Sequence, residues 1–182
     1  RGEHRLGLAT GLALLPAVVD AVGDIPVVAA GGIGDGRGLA AVLLLGATGC
    51  WLGTRFVASK EWAGGEREQQ AVLAASADDT VRTNVYDQVR GATFPEGIAD
   101  RVLRNPFNST WDGRTDEIAA RRSDLRRELE AAGERNDPDV VDVSAGVAVG
   151  LITTAEPAGD IVRTIVADAE RIMRERVAEL LS

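Results

Sequence analysis

The chain has 182 residues, 45% of them hydrophobic, which is enough for one domain with its own core and excludes a disordered protein. Its 20 basic and 28 acidic residues give a net charge of -8 without any basic stripe, so we expect no nucleic-acid partner. Cys50 is the only cysteine, which excludes an internal disulfide and a Cys-X-X-Cys metal site. No membrane-spanning apolar run and no signal peptide are visible, so we expect a cytoplasmic protein without a membrane partner.

The chain opens with residues 1–10, a glycine-rich and polar stretch that is typical of a loop at the rim of a catalytic site. This stretch holds the only histidine, His4. A histidine near a terminus is just as compatible with a solvated surface position. An apolar helix is predicted over Gly11–Val22, with its regular part beginning near Leu15 because Pro16 is best tolerated in a first turn.

Two short strands joined by a helix are predicted next. Residues 25–30 form a near-continuous apolar run, which is typical of a strand buried on both faces. Asp35 is a candidate N-cap for a helix over residues 36–45, and Gly46 stands where a C-terminal glycine belongs. Residues 49–52 are the second predicted strand. Because one helix joins the two strands, we expect a right-handed βαβ unit with parallel strands.

Both predicted strands end in glycine turns, Gly31-Gly32 and Gly53-Thr54. In a parallel sheet these turns lie at one rim, where the backbone N–H groups of Gly32, Ile33, Gly53 and Thr54 can converge. Together with a helix N-terminus, such groups form an anion site suited to phosphate. In a (β/α)8 barrel the corresponding site follows strands seven and eight. The alternative is that both are simply tight turns.

The downstream segments are predicted as additions to this unit. We expect a polar helix over residues 60–77, a turn at 78–79 and a half-buried strand over 80–86, outside the main sheet. Residues 115–136 carry acid–base pairs at helical spacing and suit a solvated helix, with a partner-binding surface as the alternative. A long amphipathic helix over residues 157–181 is expected to close the fold.

Residues 26–56, PVVAAGGIGDGRGLAAVLLLGATGCWLGTRF, resemble the phosphate-binding segment of the nitronate monooxygenase family, formerly called 2-nitropropane dioxygenases. Members of that family are FMN-dependent (β/α)8 barrels. The resemblance therefore implies an α/β fold in which residues 1–182 form a single domain, the C-terminal portion of a larger TIM barrel with extra helices and a closing C-terminal helix. It also implies that the FMN is bound by Gly31, Gly32, Ile33, Trp51, Leu52, Gly53 and Thr54.

Further motifs extend the resemblance. His4, in GEH, lines up with the family's catalytic histidine, whereas Glu3 stands where the family has glycine. Residues 101–105, RVLRN, resemble a family segment. Residues 144–146, Ser-Ala-Gly, together with Gly150, resemble in part a family loop that folds over the flavin, with its glutamine missing.

The side chains alone offer little chemistry. A single histidine excludes a Ser-His-Asp set, and no His and Cys cluster can hold zinc. This suits a flavoenzyme, because the cofactor carries the redox chemistry. The resemblance implies FMN-dependent oxidation of an alkyl nitronate by O2 to a carbonyl compound and nitrite, with His4 as base or as electrostatic partner of the substrate. The alternatives are an FMN-dependent enoyl-acyl-carrier-protein reductase on the same scaffold and a truncated, non-catalytic barrel fragment.

Overall fold

The computed structural model describes residues 10–95 and 97–182. These residues form an α/β arrangement that is rich in helices and has two small sheets. The helices are α1 Gly11–Val22, α2 Gly36–Leu44, α3 Thr54–Val57, α4 Glu66–Ala74, α5 Val85–Arg90, α6 Pro106–Trp111, α7 Thr115–Glu134 and α8 Ala158–Leu181. The strands are β1 Val28–Ala30, β2 Gly49–Trp51, β3 Thr80–Thr83 and β4 Asp100–Leu103, and 3-10 helices span Ala77–Asp79 and Val147–Leu151. In the described part of the chain, no helix is long and apolar enough to cross a membrane.

The predicted βαβ unit is confirmed. Strands β1 and β2 are parallel, with Val28 opposite Gly49 and Ala30 opposite Trp51. Strand β1 is shorter than the predicted residues 25–30, because Pro26 has no N–H to give to a sheet. The expectation of a strand buried on both faces is wrong for the described residues, where the side chain of Val28 is 54% exposed. The reason is that, in residues 10–95 and 97–182, Val28 lines an apolar groove that is open to solvent.

The ends of helix α2 follow the sequence signals. The Asp35 carboxylate accepts hydrogen bonds from the N–H groups of Arg37 and Gly38, at 3.0 and 3.2 Å, which confirms the predicted N-cap. Gly46 has φ of +96°, a left-handed conformation that glycine adopts without strain. Helix α2 ends one residue earlier than predicted, at Leu44.

Helix α1 begins at Gly11 and not near Leu15, so that part of the prediction is wrong. The carbonyl of Thr10 accepts hydrogen bonds from the N–H groups of Ala13 and Leu14, at 3.1 and 2.9 Å, and closes the first turn ahead of Pro16. The proline removes a single donor from the helix, which the remaining hydrogen bonds tolerate.

Two downstream elements are shorter than predicted. The polar helix α4 covers Glu66–Ala74 and not residues 60–77. The reason is that Gly64 and Gly65, directly before it, belong to a separate packed loop. Strand β3 ends at Thr83, whose hydroxyl accepts a hydrogen bond from the N–H of Val85 at 3.2 Å and starts helix α5. Strand β3 pairs with β4 in an antiparallel sheet separate from β1 and β2, as expected.

The later elements share a core of their own. Side chains of α5, α6, α7 and β4 form a buried cluster that includes Val85, Val89, Phe107, Ile118 and Leu125. Helix α7 thus buries the thin apolar stripe that its sequence shows and leaves its charged face in water. A second cluster joins α3, α4 and the segment before α8.

A polar network holds the RVLRN segment inside this core. The Asn105 side chain caps α6 by accepting from the N–H of Asn108 at 2.8 Å, and its Nδ2 donates to the carbonyls of Pro138 and Val141. The Tyr86 hydroxyl lies 3.1 Å from Asn105 Oδ1, and burial raises the pKa of Tyr86 to about 12, so the hydroxyl stays protonated. Buried polar groups are stable only when paired in this way.

Helix α8 closes the fold by packing along α2. The crossing is so close that a Cβ on Gly36 would lie 2.5 Å from Asp168 Cβ and 2.9 Å from Ile165 O. Real Cβ atoms do not approach other atoms so closely, so only glycine fits at this crossing. Ile161, Ile165 and Ala169 of α8 are buried.

We therefore expect Gly36→Ala to destabilise the full-length protein by about 1–3 kcal/mol, the usual cost of forcing extra volume into a packed contact. Gly133→Ala in α7 is the matched control, because an added Cβ there meets nothing within 4 Å. The free energy of unfolding of that control should rise by up to about 1 kcal/mol, because alanine has a higher helix propensity than glycine. Urea unfolding measures both changes, and equal stability of the two variants would contradict the proposed close crossing.

Candidate functional site

The two glycine turns line one cavity of about 210 Å³ at the end of β1 and β2. Six of the seven residues predicted to bind the cofactor are among its walls: Gly31, Gly32, Ile33, Trp51, Gly53 and Thr54. Leu52 is not among them, because successive side chains of an extended segment point to opposite faces and Trp51 already faces the cavity. His4 and Glu3 lie outside the described residues, so their predicted place beside the flavin stays a prediction.

The first turn depends on backbone conformations that favour glycine. Gly31 has φ of +92° and Gly32 has φ of +75°, both in the left-handed region. Within the described residues, no hydrogen bond occupies the N–H groups of Gly32, Ile33, Gly53 or Thr54. These four donors at the cavity are therefore free to bind an anion.

The N-terminus of α2, the helix that follows the first glycine turn, is already capped. The Asp35 carboxylate caps α2 and also accepts from Arg37 Nε at 2.7 Å. Partial burial raises the pKa of Asp35, but the hydrogen bonds from Arg37 and Gly38 outweigh it and leave this pKa below its usual value. A second anion at the α2 N-terminus would meet this charge, whereas α3 begins at the cavity, at Gly53 and Thr54, without a side-chain cap.

A loop from the later part of the chain forms the facing wall. Ser144, Ala145 and Gly146 line the cavity, as expected for a loop that folds over the flavin. Strand β4 holds the loop in place, because the Leu103 N–H donates to Val143 O at 2.9 Å and the Ala145 N–H donates to Arg101 O at 3.2 Å. The second sheet is thus more than an addition to the fold, since it positions one wall of the site.

Thr54 connects the two walls. Its Oγ1 accepts a hydrogen bond from the Gly146 N–H at 2.9 Å. Because this bond uses a lone pair of the hydroxyl, the Thr54 O–H proton remains available as a donor to a ligand. The neighbouring Arg55 points away from the cavity, where it donates to Thr154 O and pairs with Glu156 at 3.2 Å.

All described residues that line the cavity are neutral. An anion there would be held by N–H groups and a hydroxyl, in the manner of a backbone nest. Sequence reasoning missed four wall residues, Ala30, Val57, Trp62 and Ala148, of which Trp62, between α3 and α4, has the largest side chain. The sequence shows only that Trp62 comes six residues after GTRF and that Gly64 and Gly65 follow Ala63. Residues 10–95 and 97–182 contain no group of three His, Cys, Asp or Glu arranged to hold a metal.

Gly53 offers a clean test of the anion site. A Cβ added there meets nothing within 4 Å, so Gly53→Asp and its neutral isostere Gly53→Asn both fit. If the phosphate of a flavin binds at this turn, the aspartate puts a negative charge against it, and like charges at short range in a partly dry site cost several kcal/mol. We expect the purified full-length G53D protein to lose its FMN and G53N to keep most of it, as measured by flavin absorbance per protein. Equal FMN content in the two variants would contradict a phosphate at this turn.

Comparison with known proteins identifies the family of the chain. The family model described as nitronate monooxygenase matches residues 1–168. The chain is 40% identical over 187 residues to the nitronate monooxygenase npaC of Metarhizium robertsii, covering 98% of this chain and 51% of that protein. It spans about half the length of the curated relatives it matches.

Solved structures are similar as well. FabK from Thermotoga maritima superposes with a TM-score of 0.81 at 31% identity, covering 98% of this chain and 54% of that one. The nitroalkane oxidase from Streptomyces ansochromogenes gives a TM-score of 0.76 at 27% identity, covering 96% and 49%. With a family match over residues 1–168, the chain belongs to the nitronate monooxygenase family, a family of oxidoreductases.

Proposed function

We propose that this chain is the C-terminal part of an FMN-dependent nitronate monooxygenase, which oxidises an alkyl nitronate with O2 to a carbonyl compound and nitrite. The observation that carries the proposal is the neutral cavity shared by the two glycine turns and the Ser144–Gly146 loop. The family supplies the reaction class, and the relatives' names supply the nitronate.

The cavity suits the phosphate end of FMN. Free N–H groups of Gly32, Ile33, Gly53 and Thr54 supply four donors, and the Thr54 hydroxyl supplies a fifth. A volume of about 210 Å³ is below the usual range of roughly 300–1,000 Å³ for complete ligand sites, so it takes one end of the cofactor and not the whole. When bound, the flavin supplies the redox chemistry, and this part of the protein binds and orients it.

The remainder of the barrel is proposed to cover the apolar side of the βαβ unit. An apolar groove of about 370 Å³ runs between α1, β1 and α2. Large hydrophobic side chains that line it are exposed, among them Leu12 at 73%, Leu14 at 50% and Val28 at 54%. Such contiguous exposure marks an interaction surface. Because the chain spans about half the length of its relatives, the further βα units of such a barrel are the proposed cover.

The exposed groove has a consequence for stability. Several hundred Å² of apolar surface left in water, at about 25 cal/mol per Å², forfeits on the order of 10 kcal/mol, comparable with the stability of a domain. We expect residues 1–182 expressed alone to aggregate, bind a hydrophobic dye or melt without a cooperative transition. The full-length protein should melt cooperatively and gain stability from added FMN. A monomeric, cooperatively melting 182-residue product would contradict the proposed cover.

His4 is proposed as the catalytic base, or as the electrostatic partner of the anionic substrate. In the full-length protein, His4→Ala should lower nitronate turnover by about 10²–10⁴, the usual effect of losing a positioned acid–base group. The FMN content should not change, because the phosphate site is formed by other residues. Oxygen consumption with an alkyl nitronate measures turnover, and an unchanged rate would assign His4 to the solvated surface.

The flavin itself separates this proposal from its rivals. A purified protein without yellow colour would favour a non-catalytic barrel fragment. Rapid reduction of the bound flavin by NADH, without nitronate-dependent oxygen uptake, would favour the enoyl-acyl-carrier-protein reductase. Oxygen uptake that requires nitronate and no NADH would support the monooxygenase.

A further inference from the structure

The cavity has an aromatic wall with no assigned role, Trp62. Its indole lines the same cavity as Gly53 and Thr54 and is 37% exposed. We propose that Trp62 contacts the cofactor, packing its ring against the C–H groups of the ribityl chain next to the phosphate, and that Glu68 is the positioning residue that holds the indole. This inference rests on the proposed function, because it needs the flavin phosphate at the glycine turns.

The hydrogen bond between the two residues sets what the indole presents to the ligand. Trp62 Nε1–H donates to Glu68 Oε2 at 3.2 Å. Since an indole has one donor and no acceptor, this bond leaves it no N–H for the phosphate. The indole therefore offers the cavity an apolar ring surface, which suits the carbon chain or ring of a flavin.

The loop that follows is packed directly on this pair. A Cβ on Gly64 would lie 2.2 Å from Trp62 Nε1 and 2.5 Å from Glu68 Oε2. The backbone at Gly64 thus passes over the hydrogen bond with no room for a side chain. On the next residue, Gly65, a Cβ would lie 1.6 Å from Asn136 Nδ2. Two consecutive glycines in close contact indicate that this loop has one packed path, which fixes the indole.

Other hydrogen bonds join the loop to α4. The Trp62 backbone N–H donates to Ser59 O at 3.1 Å, and Gln69 Nε2 donates to the same carbonyl at 2.7 Å. Glu68 and Gln69, neighbours in α4, therefore hold the two ends of the segment that carries Trp62. This arrangement fixes both the backbone and the side chain of the wall residue.

Glu68 lies where a negatively charged carboxylate is disfavoured. The hydrogen bond from the Trp62 indole offsets part of this cost, which supports a positioning role for the pair. Burial raises the pKa of Glu68, the hydrogen bond from Trp62 lowers it in part, and the nearby charge of Asp142 raises it further. The described ionisable groups beside Glu68 in the adjoining cavity are Arg90 and Asp142, which pair with each other. Glu68 thus lacks the arginine as a counter-charge, and Trp62 is its hydrogen-bond partner.

The test measures FMN binding to the full-length protein after its flavin has been removed. Trp62→Ala should raise the FMN dissociation constant about tenfold, the effect of losing one aromatic contact. Trp62→Phe keeps an aromatic ring and should therefore lose less FMN affinity than Trp62→Ala. Glu68→Ala should weaken binding, whereas Glu68→Gln keeps an acceptor for the indole N–H and should bind nearly as the unmodified protein does.

The pairing is tested by additivity and by a control. If Glu68 acts through Trp62, the double variant W62A/E68A binds FMN no more weakly than W62A. Glu66→Ala removes the same charge from the same first turn of α4 without touching Trp62, and should leave binding unchanged. Bound FMN should also quench indole emission less in W62F than in the unmodified protein.

Each outcome decides a separate point. Unchanged FMN affinity in W62A and W62F, with a flavin-loaded unmodified protein, would overturn this inference and leave the proposed function standing. Fully additive losses in the double variant, or equal losses in E66A and E68A, would overturn the positioning role of Glu68. An unmodified protein that binds no FMN at all would overturn the proposed function and this inference together.

Discussion

The parallel pairing of β1 and β2 is the constraint on which the site depends. Three residue pairs in register bring the carboxyl ends of both strands to one edge. The chain can return to that edge only by crossing the sheet, and α2 makes the crossing. The glycine turns that follow the strands are then neighbours, although Gly32 and Gly53 are far apart in sequence. Without this pairing the two turns would be unrelated loops.

The cavity that we propose as an anion site has no charged residue in its described lining, and the carboxylates of Asp35 and Glu68 are both already hydrogen-bonded. Asp35 is bound by the first turn of α2 and by Arg37. Glu68 accepts the indole N–H of Trp62. Residues whose N–H groups have no hydrogen bond within the described part of the chain therefore line the cavity, while both carboxylates have other partners. A site of fixed dipoles needs no reorganisation when its ligand binds, which is the physical advantage of using backbone.

The second sheet and its helices support the site indirectly. The buried network of Tyr86, Asn105 and Asn108 fixes the end of β4 and the start of α6. Strand β4 in turn aligns the loop whose Gly146 N–H reaches Thr54 across the cavity. The distance along the chain from Thr54 to Gly146 is long, yet one hydrogen bond joins the two walls. This explains why a segment that looks like an addition to the βαβ unit resembles the family in its own right.

The sequence by itself determined the βαβ unit, the cap at Asp35 and the left-handed glycine after α2, because these follow from local backbone chemistry and strand order. For the same reason, six of the seven residues predicted to bind a cofactor line one cavity. The sequence also determined the apolar stripes of α7 and α8. Tertiary structure decided what depends on distant neighbours. For example, the side chain of Asn136 packs against Gly65 in the loop ahead of α4.

Tertiary structure also decided which groups are free. The sequence predicts Asp35 as the cap of α2, but only the fold shows that its carboxylate also binds Arg37 and that this N-terminus does not line the cavity. Trp62 could not be assigned from sequence, since its contact with the cavity depends on α4 holding the loop. Local patterns fix where strands, turns and caps occur, because those depend on neighbouring residues. Which donors, rings and charges contact one another depends on packing between segments, and the sequence of one segment does not specify that packing.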